Sequence, residues 1–313
     1  MTSFLSITWN PPKGIDLGFF TLHFYSLLWM VAFGLGWFLT KKIFDREGEP
    51  VEKLDKLFMY TLFATMLGAR LGHVLFYQPE LFKEDFFSVF LPVRFKPEFE
   101  FTGFTGLASH GAAIAVVATM LYYSKKVIHR PFLWVLDRIT IPVTSGGIFI
   151  RIANFINSEI LGSETTANVP TAVRFIRGEE SINDYNVMAK TGAKTVNEGY
   201  KLIETDPRFS DLLATIPYRH PAQMYEAFYY IFVFIIVFYM YWKTDARKYH
   251  GLIFGVFLVL LWGVRFGVEF LKQSQGGFEE SLHVLSTGQW LSIPFILVGF
   301  YLIFTAKNRI ETL

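Results

Sequence analysis

The sequence predicts an all-α polytopic membrane protein of seven transmembrane helices, N-terminus periplasmic and C-terminus cytoplasmic, and three observations predict it. Of 313 residues, 52% are hydrophobic and only 18% charged, against roughly a quarter charged in ordinary soluble domains. Apolar runs of about 18–25 residues alternate with short polar stretches, the length that crosses ~30 Å of hydrocarbon. The basic residues gather in every second loop, which sets the orientation.

Helices are expected over about 18–40, 56–77, 107–124, 132–157, 221–242, 251–271 and 288–306. Lys41, Lys42, Arg46, Lys53 and Lys56 follow the first apolar run. The third is followed by Lys125, Lys126 and Arg130, the fifth by Lys243, Arg247 and Lys248, and the seventh by Lys307 and Arg309. In an alternating seven-span chain these four clusters share one side, which is then the cytoplasm. The opposite segments, 78–106, 158–219 and 272–287, hold at least as many acidic as basic residues. Met1-Thr-Ser-Phe-Leu-Ser-Ile lacks the basic start and cleavage site of a signal peptide, so the first helix is expected to stay in the mature chain.

No period marks a repeat and no low-complexity tract divides the chain, so residues 1–313 are expected to form a single transmembrane domain. The polar segment 158–219 stands out as an insertion between helices 4 and 5. Pieces such as Thr171-Ala-Val-Arg-Phe-Ile and Asp184-Tyr-Asn-Val-Met suggest a small periplasmic cap, the alternative being an irregular insertion. The net charge of +2 says nothing about partners, and the absence of cysteine excludes disulfides, thiolate metal sites and a cysteine nucleophile.

Ionisable groups at membrane depth normally face the bundle interior, because a charge in lipid costs ~3 kcal/mol or more. Helix 2 runs outward with Arg70 about 14 residues along it, or ~21 Å from its inner end. Arg265 reaches a similar level on helix 6, with Glu269 nearer the surface, and Arg151 and Asn154 come near the outer end of helix 4. His110, His220 and Tyr25 fall in the outer turns of helices 3, 5 and 1. The inner half is nearly bare apart from Asp137 and Arg138.

Each residue alone has a structural reading. Arg265 and Glu269, four apart, form a self-neutralising pair; Arg70 after Gly68 pins two helices; His110 before Gly111 caps a helix. His220-Pro221 suits the N-cap and first position of helix 5, and Tyr25 suits an interfacial belt. Together, three arginines, two histidines and a carboxylate at one depth point to an anion site at the outer leaflet. Lipid phosphate is the anion met there, and arginine suits its bidentate recognition.

Arg151-Ile-Ala-Asn154-Phe-Ile-Asn157-Ser-Glu159 closely resembles the signature Arg-Ile-Gly-Asn-Phe-Ile-Asn-Gly-Glu of bacterial phosphatidylglycerol–prolipoprotein diacylglyceryl transferases, with Ala153 and Ser158 in place of glycine. Further family motifs follow in order: Phe24-Tyr25-Ser26, Gly68-Ala69-Arg70-Leu71-Gly72, Ser109-His110-Gly111, His220-Pro221-Ala222-Gln223-Met224-Tyr225-Glu226, Arg265 with Glu269, and Gly288-Gln289-Trp290-Leu291-Ser292-Ile293-Pro294. Departures are Ala112 where the family has a second glycine, Leu261 beside Trp262 where a tyrosine is frequent, and a longer segment 158–219.

The resemblance implies transfer of diacylglycerol from phosphatidylglycerol to the lipobox cysteine thiol of a prolipoprotein signal peptide, in the bacterial inner membrane with the active site toward the periplasm. Among membrane lipids, phosphatidylglycerol is the expected substrate; no cofactor, metal or nucleic acid enters that reaction. Catalytic roles are implied for His110 as base, for Arg151 and Arg265 on the phosphate, and for Glu269 orienting Arg265. Tyr25, Arg70, Gly111, Asn154, Glu159, Gly162 and His220 are implied to bind substrate, and Asn157, six residues from Arg151, is read as scaffold.

Other classes fit less well. A palmitoyltransferase needs its own cysteine, and a retinal photoreceptor a lysine within 288–306, which has none. An intramembrane serine protease needs more than Thr144-Ser145-Gly146. A transporter would show internal repeats and a midplane site.

Overall fold

The computed structural model describes residues 7–18, 21–90, 93–95, 99–101, 108–179, 181–273 and 284–310, with the side chains of Arg94, Glu100, Phe101, Ser109 and His110 outside that set. Seven long helices lie among the described residues: α1 Phe24–Glu47, α2 Val51–Tyr77, α3 Ser109–Tyr123, α4 Phe132–Ile156, α5 Ala222–Lys243, α6 Leu252–Val268 and α7 Thr287–Phe304. Among the described residues, six helices are long and apolar enough to cross a membrane: Phe24–Glu47, Gly111–Ile128, Phe132–Ile156, Ala222–Lys243, Leu252–Leu271 and Thr287–Phe304. The chain is therefore a mostly helical, multi-pass membrane protein.

α1 begins and ends later than its apolar run. Thr21–His23 pairs antiparallel with Gly14–Asp16, which takes those residues out of the helix. At the other end, Lys41 through Glu47 are sound helix formers, so the helix outlasts its hydrophobicity. α2 starts at Val51 because Pro50 supplies an extended N-cap. A π-turn at Ser124–Ile128 extends α3 until His129 turns left-handed, at φ 57°. α7 opens on a capping box in which Ser286 and Gln289 satisfy each other's backbone N–H.

The chain divides into two compact units, residues 37–139 and residues 1–36 with 140–313. In the first, α2 and α3 meet through glycines. A β-carbon on Gly111 would strike the Gly68 carbonyl oxygen and come within 2.7 Å of Gly72 Cα. Small residues let backbones close in this way when lipid offers no hydrophobic drive. At one end of this unit, Glu49 takes Lys53 and Arg130, both at 2.8 Å, and Glu47 takes the buried Arg138 at 3.0 Å.

In the second unit, α6 packs on α7 across a similar close approach, where a β-carbon on Gly255 would lie 2.9 Å from Gly299 O. A four-stranded sheet joins Ile7–Trp9, Val173–Phe175, Tyr218–Arg219 and Glu164–Thr165 in that order. Ile7–Trp9 runs parallel to Val173–Phe175, and the other pairings are antiparallel. Segment 158–219 has an apolar core of its own, formed by Ile176, Ile182, Val187, Tyr200, Ile203 and Ile216. Trp9 ties this region to α4, donating Nε1–H to Phe155 O at 3.0 Å.

Candidate active site

α4 ends at Ile156, and the chain then turns sharply, with Ser158 and Ile160 both at φ 55°. Helix-end carbonyls close the turn: Ala153 O accepts from Asn157 N at 3.0 Å and Asn154 O from Glu159 N at 2.9 Å. Left-handed backbone costs an L-residue about 1–2 kcal/mol, which explains why glycine suits position 158 better than serine. Glu159, held in this turn, accepts from Asn154 Nδ2 at 2.9 Å and Asn157 Nδ2 at 3.1 Å. The Gln223 amide on α5 donates to its backbone carbonyl. Helical spacing does not place Asn157, because the helix has already ended; it converges on Glu159 and acts as scaffold for that carboxylate.

Arg151, one turn before Asn154, reaches Asn154 Oδ1 only at 3.5 Å. Its main partner is Glu226 on α5, with Nε 2.5 Å from Oε2. Lys272 takes the other Glu226 oxygen at 2.8 Å and reaches Glu269 Oε2 at 3.3 Å. Glu226 is fully buried, Lys272 is 5% exposed, and Arg151 and Glu269 are 12% exposed each. Removing an ion from water costs several kcal/mol, so buried charges persist only when each has a partner, and Glu226 serves two.

The backbone puts Lys272 there. Gly162 and Lys272 form an antiparallel bridge, Ser163 N donates to Leu271 O at 2.8 Å, and Gly162 N donates to His220 O at 3.1 Å. Gly162 has no room for a side chain: a β-carbon would strike the His220 carbonyl and sit 2.8 Å from Leu271 O. One contact thus joins the insertion, the entry to α5 and the end of α6.

Arg265 lies over the Trp262 ring, Cζ 5.2 Å from its centroid. Its Nε is buried with no hydrogen-bond partner among the described residues. The buried Tyr230 is within electrostatic reach of Arg151, Arg265 and Glu226, so Arg265 borders the same cluster. The i,i+4 pair expected between Arg265 and Glu269 is not made among the described residues. α6 gives way at Val268 to a 3-10 turn over Glu269–Leu271, which swings the carboxylate toward Lys272, three residues on. Gly288 on α7 leaves space for that carboxylate, since a β-carbon there would collide with it.

The remaining expected residues fall as follows. Tyr25 is the second residue of α1, its ring 6.4 Å from Trp29. His220 Nδ1 lies 3.2 Å from Tyr225 Oη, and its backbone carbonyl serves Gly162. In the 37–139 unit, Arg70 donates to Ser88 O at 2.8 Å and Gly111 is a packing glycine of α2 and α3. His110 is the second residue of α3, and its side chain lies outside the described residues.

Sequence reading named Gln223 and Glu226 only within a family motif and assigned no role to them or to Lys272. Glu226 carried a usable signal, a carboxylate inside an apolar run. Lys272 carried none, since it follows an apolar run as any loop lysine would. Arg151, Arg265 and Lys272 bring three positive charges and Glu226 and Glu269 two negative, leaving one positive; Glu159, exposed and answered by two amides, stands outside that balance. Such a site suits a monoanion. Nearby, a groove of about 670 Å³ runs between α5 and α6, lined by Tyr225, Tyr229, Leu260, Gly263, Val264 and Leu271.

A family model described as prolipoprotein diacylglyceryl transferase matches residues 12–305. Three relatives, each named phosphatidylglycerol–prolipoprotein diacylglyceryl transferase, are similar over nearly full length. The Bacteroides fragilis protein is 33% identical, covering 96% of this chain and 95% of its own. That of Tolumonas auensis is 34% identical, covering 96% and 98%, and that of Porphyromonas gingivalis 35%, covering 97% and 96%.

Proposed function

The chain belongs to the prolipoprotein diacylglyceryl transferase family, and we propose that it moves diacylglycerol from phosphatidylglycerol to the lipobox cysteine of prolipoproteins. This is the first step of lipoprotein maturation. The observation that carries the reading is the buried Nε of Arg265, unpartnered among the described residues, beside a cluster that there has one positive charge in excess. A phosphodiester headgroup supplies the single negative charge that balances it.

In the reaction a sulfur–carbon bond forms at the glyceryl carbon as the carbon–oxygen bond to phosphate breaks. The electron pair leaves on the phosphate oxygen, giving glycerol phosphate, and the thiol proton passes to a base. Fixed positive groups in a water-poor site stabilise the departing phosphate most. Arg265 meets it with its free N–H, and Arg151, shared with Glu226 and backed by Asn154, meets it from α4. Lys272 takes part of the Glu226 charge, which leaves Arg151 available to phosphate. Glu159 holds Asn154 in place. His110 is assigned the thiol proton on chemical grounds: imidazole titrates near neutral pH, where a free thiol is only a few per cent ionised. The α5–α6 groove suits an acyl chain.

The same reading completes the topology. α2, 27 residues long, is the seventh span, ~40 Å at 1.5 Å per residue. The N-terminus and segment 158–219 lie in the periplasm, the segment as a cap over the site, and the protein sits in the bacterial inner membrane. The test is purified protein in phosphatidylglycerol vesicles with a lipobox peptide. Mass spectrometry should find a diacylglyceryl thioether and an equal yield of glycerol phosphate. Phospholipid movement between leaflets with no thioether would overturn the assignment in favour of a transporter.

A further inference from the structure

The phosphate-binding arginine of α6 needs a support, and the ion pair with Glu269 does not supply it. Glu269 is engaged by Lys272 at 3.3 Å and seated against Gly288. What touches the Arg265 guanidinium is a ring. Trp262, three residues earlier on the same helix face, lies under it at 5.2 Å. Trp262 also stacks on Phe295 of α7, centroids 4.2 Å apart and planes within 6°. Parallel rings this close are fixed in position as a pair. The stack is itself set by the α6–α7 contact, where Gly255 and Gly299 bring the backbones together and Gln289 Nε2 donates to Phe266 O at 3.3 Å.

We propose that Trp262, held by Phe295, is a positioning residue that aims the Arg265 guanidinium at the phosphate of the lipid substrate. A cation held over a ring face uses no hydrogen bond to stay there, so its N–H groups remain for the ligand, whereas an ion pair would engage them. The buried Nε, without a hydrogen-bond partner among the described residues, fits such an arrangement. An adjacent leucine, Leu261, points a different way around the helix and cannot substitute, being about 100° away. The inference rests on the phosphate reading above. It differs from a membrane-belt role for Trp262, because a belt needs a ring with a polar edge whereas a platform needs only a flat face.

The experiment compares wild type, Trp262→Leu, Trp262→Phe and Trp262→Tyr in phosphatidylglycerol vesicles with a lipobox peptide, reading kcat and KM for the lipid. Leu should lower kcat about tenfold, equivalent to ~1.4 kcal/mol, while Phe and Tyr stay within about threefold of wild type. If the Leu variant does not fold, Phe295→Leu replaces it, and kcat should fall about threefold as the platform loosens. Wild-type kcat in the Leu variants would overturn the proposal. So would a Phe variant as impaired as Trp262→Leu while Tyr is not, which is the belt outcome. An inactive wild type would instead remove the functional reading on which this rests.

Discussion

Replacing Glu226 with glutamine keeps the side chain's volume and removes the charge that two buried cations share. Arg151 Nε sits 2.5 Å from one carboxylate oxygen and Lys272 Nζ 2.8 Å from the other. Removing one partner of a buried ion pair costs about 3–5 kcal/mol, because the other charge is left uncompensated. Solvent offers little relief, since Lys272 is 5% and Arg151 12% exposed. At roughly 2 °C per kcal/mol for a chain of this length, the unfolding midpoint in detergent should fall by about 6–10 °C. The excess positive charge then has a signature of its own. Inorganic phosphate should raise the midpoint of Glu226→Gln more than that of wild type, recovering ~2–3 kcal/mol near a hundredfold excess over its Kd. A midpoint unchanged by the substitution, or one lowered but no more responsive to phosphate than wild type, would refute the shared-carboxylate arrangement.

Three further perturbations follow from the same geometry. Gly162→Ala should cost about 1–3 kcal/mol and most of the transferase activity, because its β-carbon meets the His220 and Leu271 carbonyls and must push Lys272 off Glu226; thermal midpoint and initial rate are the readouts. Ser158→Gly should raise stability by about 1 kcal/mol with activity retained, since Ser158 sits at φ 55° and its hydroxyl is buried without a partner among the described residues; a lower midpoint would contradict this. On the acid side, burial pushes the Glu49 carboxyl up, but Lys53 and Arg130 outweigh it and hold it below its ordinary 4.5. A depressed carboxyl contributes stability that is complete above about pH 4.5 and lost as pH falls below it, so Glu49→Gln should flatten that acid limb of a midpoint-against-pH curve.

Apolar run length placed the helices, because membrane thickness sets it directly. Their ends moved where another force took over. Strand pairing claims Thr21–His23, and helix propensity carries α1 on through Lys41–Glu47. Within the site, what one helix carries was readable: Arg151 and Asn154 share a face at i,i+3, and Arg151 reaches Asn154 Oδ1 as their spacing suggests, while Asn154 alone bonds Glu159. The Arg265–Glu269 pair was misjudged for the converse reason, since four-residue spacing holds only while the helix lasts, and α6 stops at Val268. Glu226 with Lys272 was invisible, because residues 46 apart in sequence meet only through the Gly162 bridge and the α5–α6 packing. Trp262 showed only as the neighbour of Leu261, which departs from the family pattern, and its partners, Arg265 and Phe295, needed two helices in place.

The phosphate assignment stands most directly on the rate of glycerol phosphate release from phosphatidylglycerol, measured with saturating lipobox peptide for wild type, Arg151→Ala and Arg265→Ala. Each alanine variant should lose about 10²–10³ in kcat, the scale set by removing one donor from a developing oxyanion, with the protein still folded and monodisperse. Wild-type release by either variant would contradict the placement of the lipid phosphate between those two arginines.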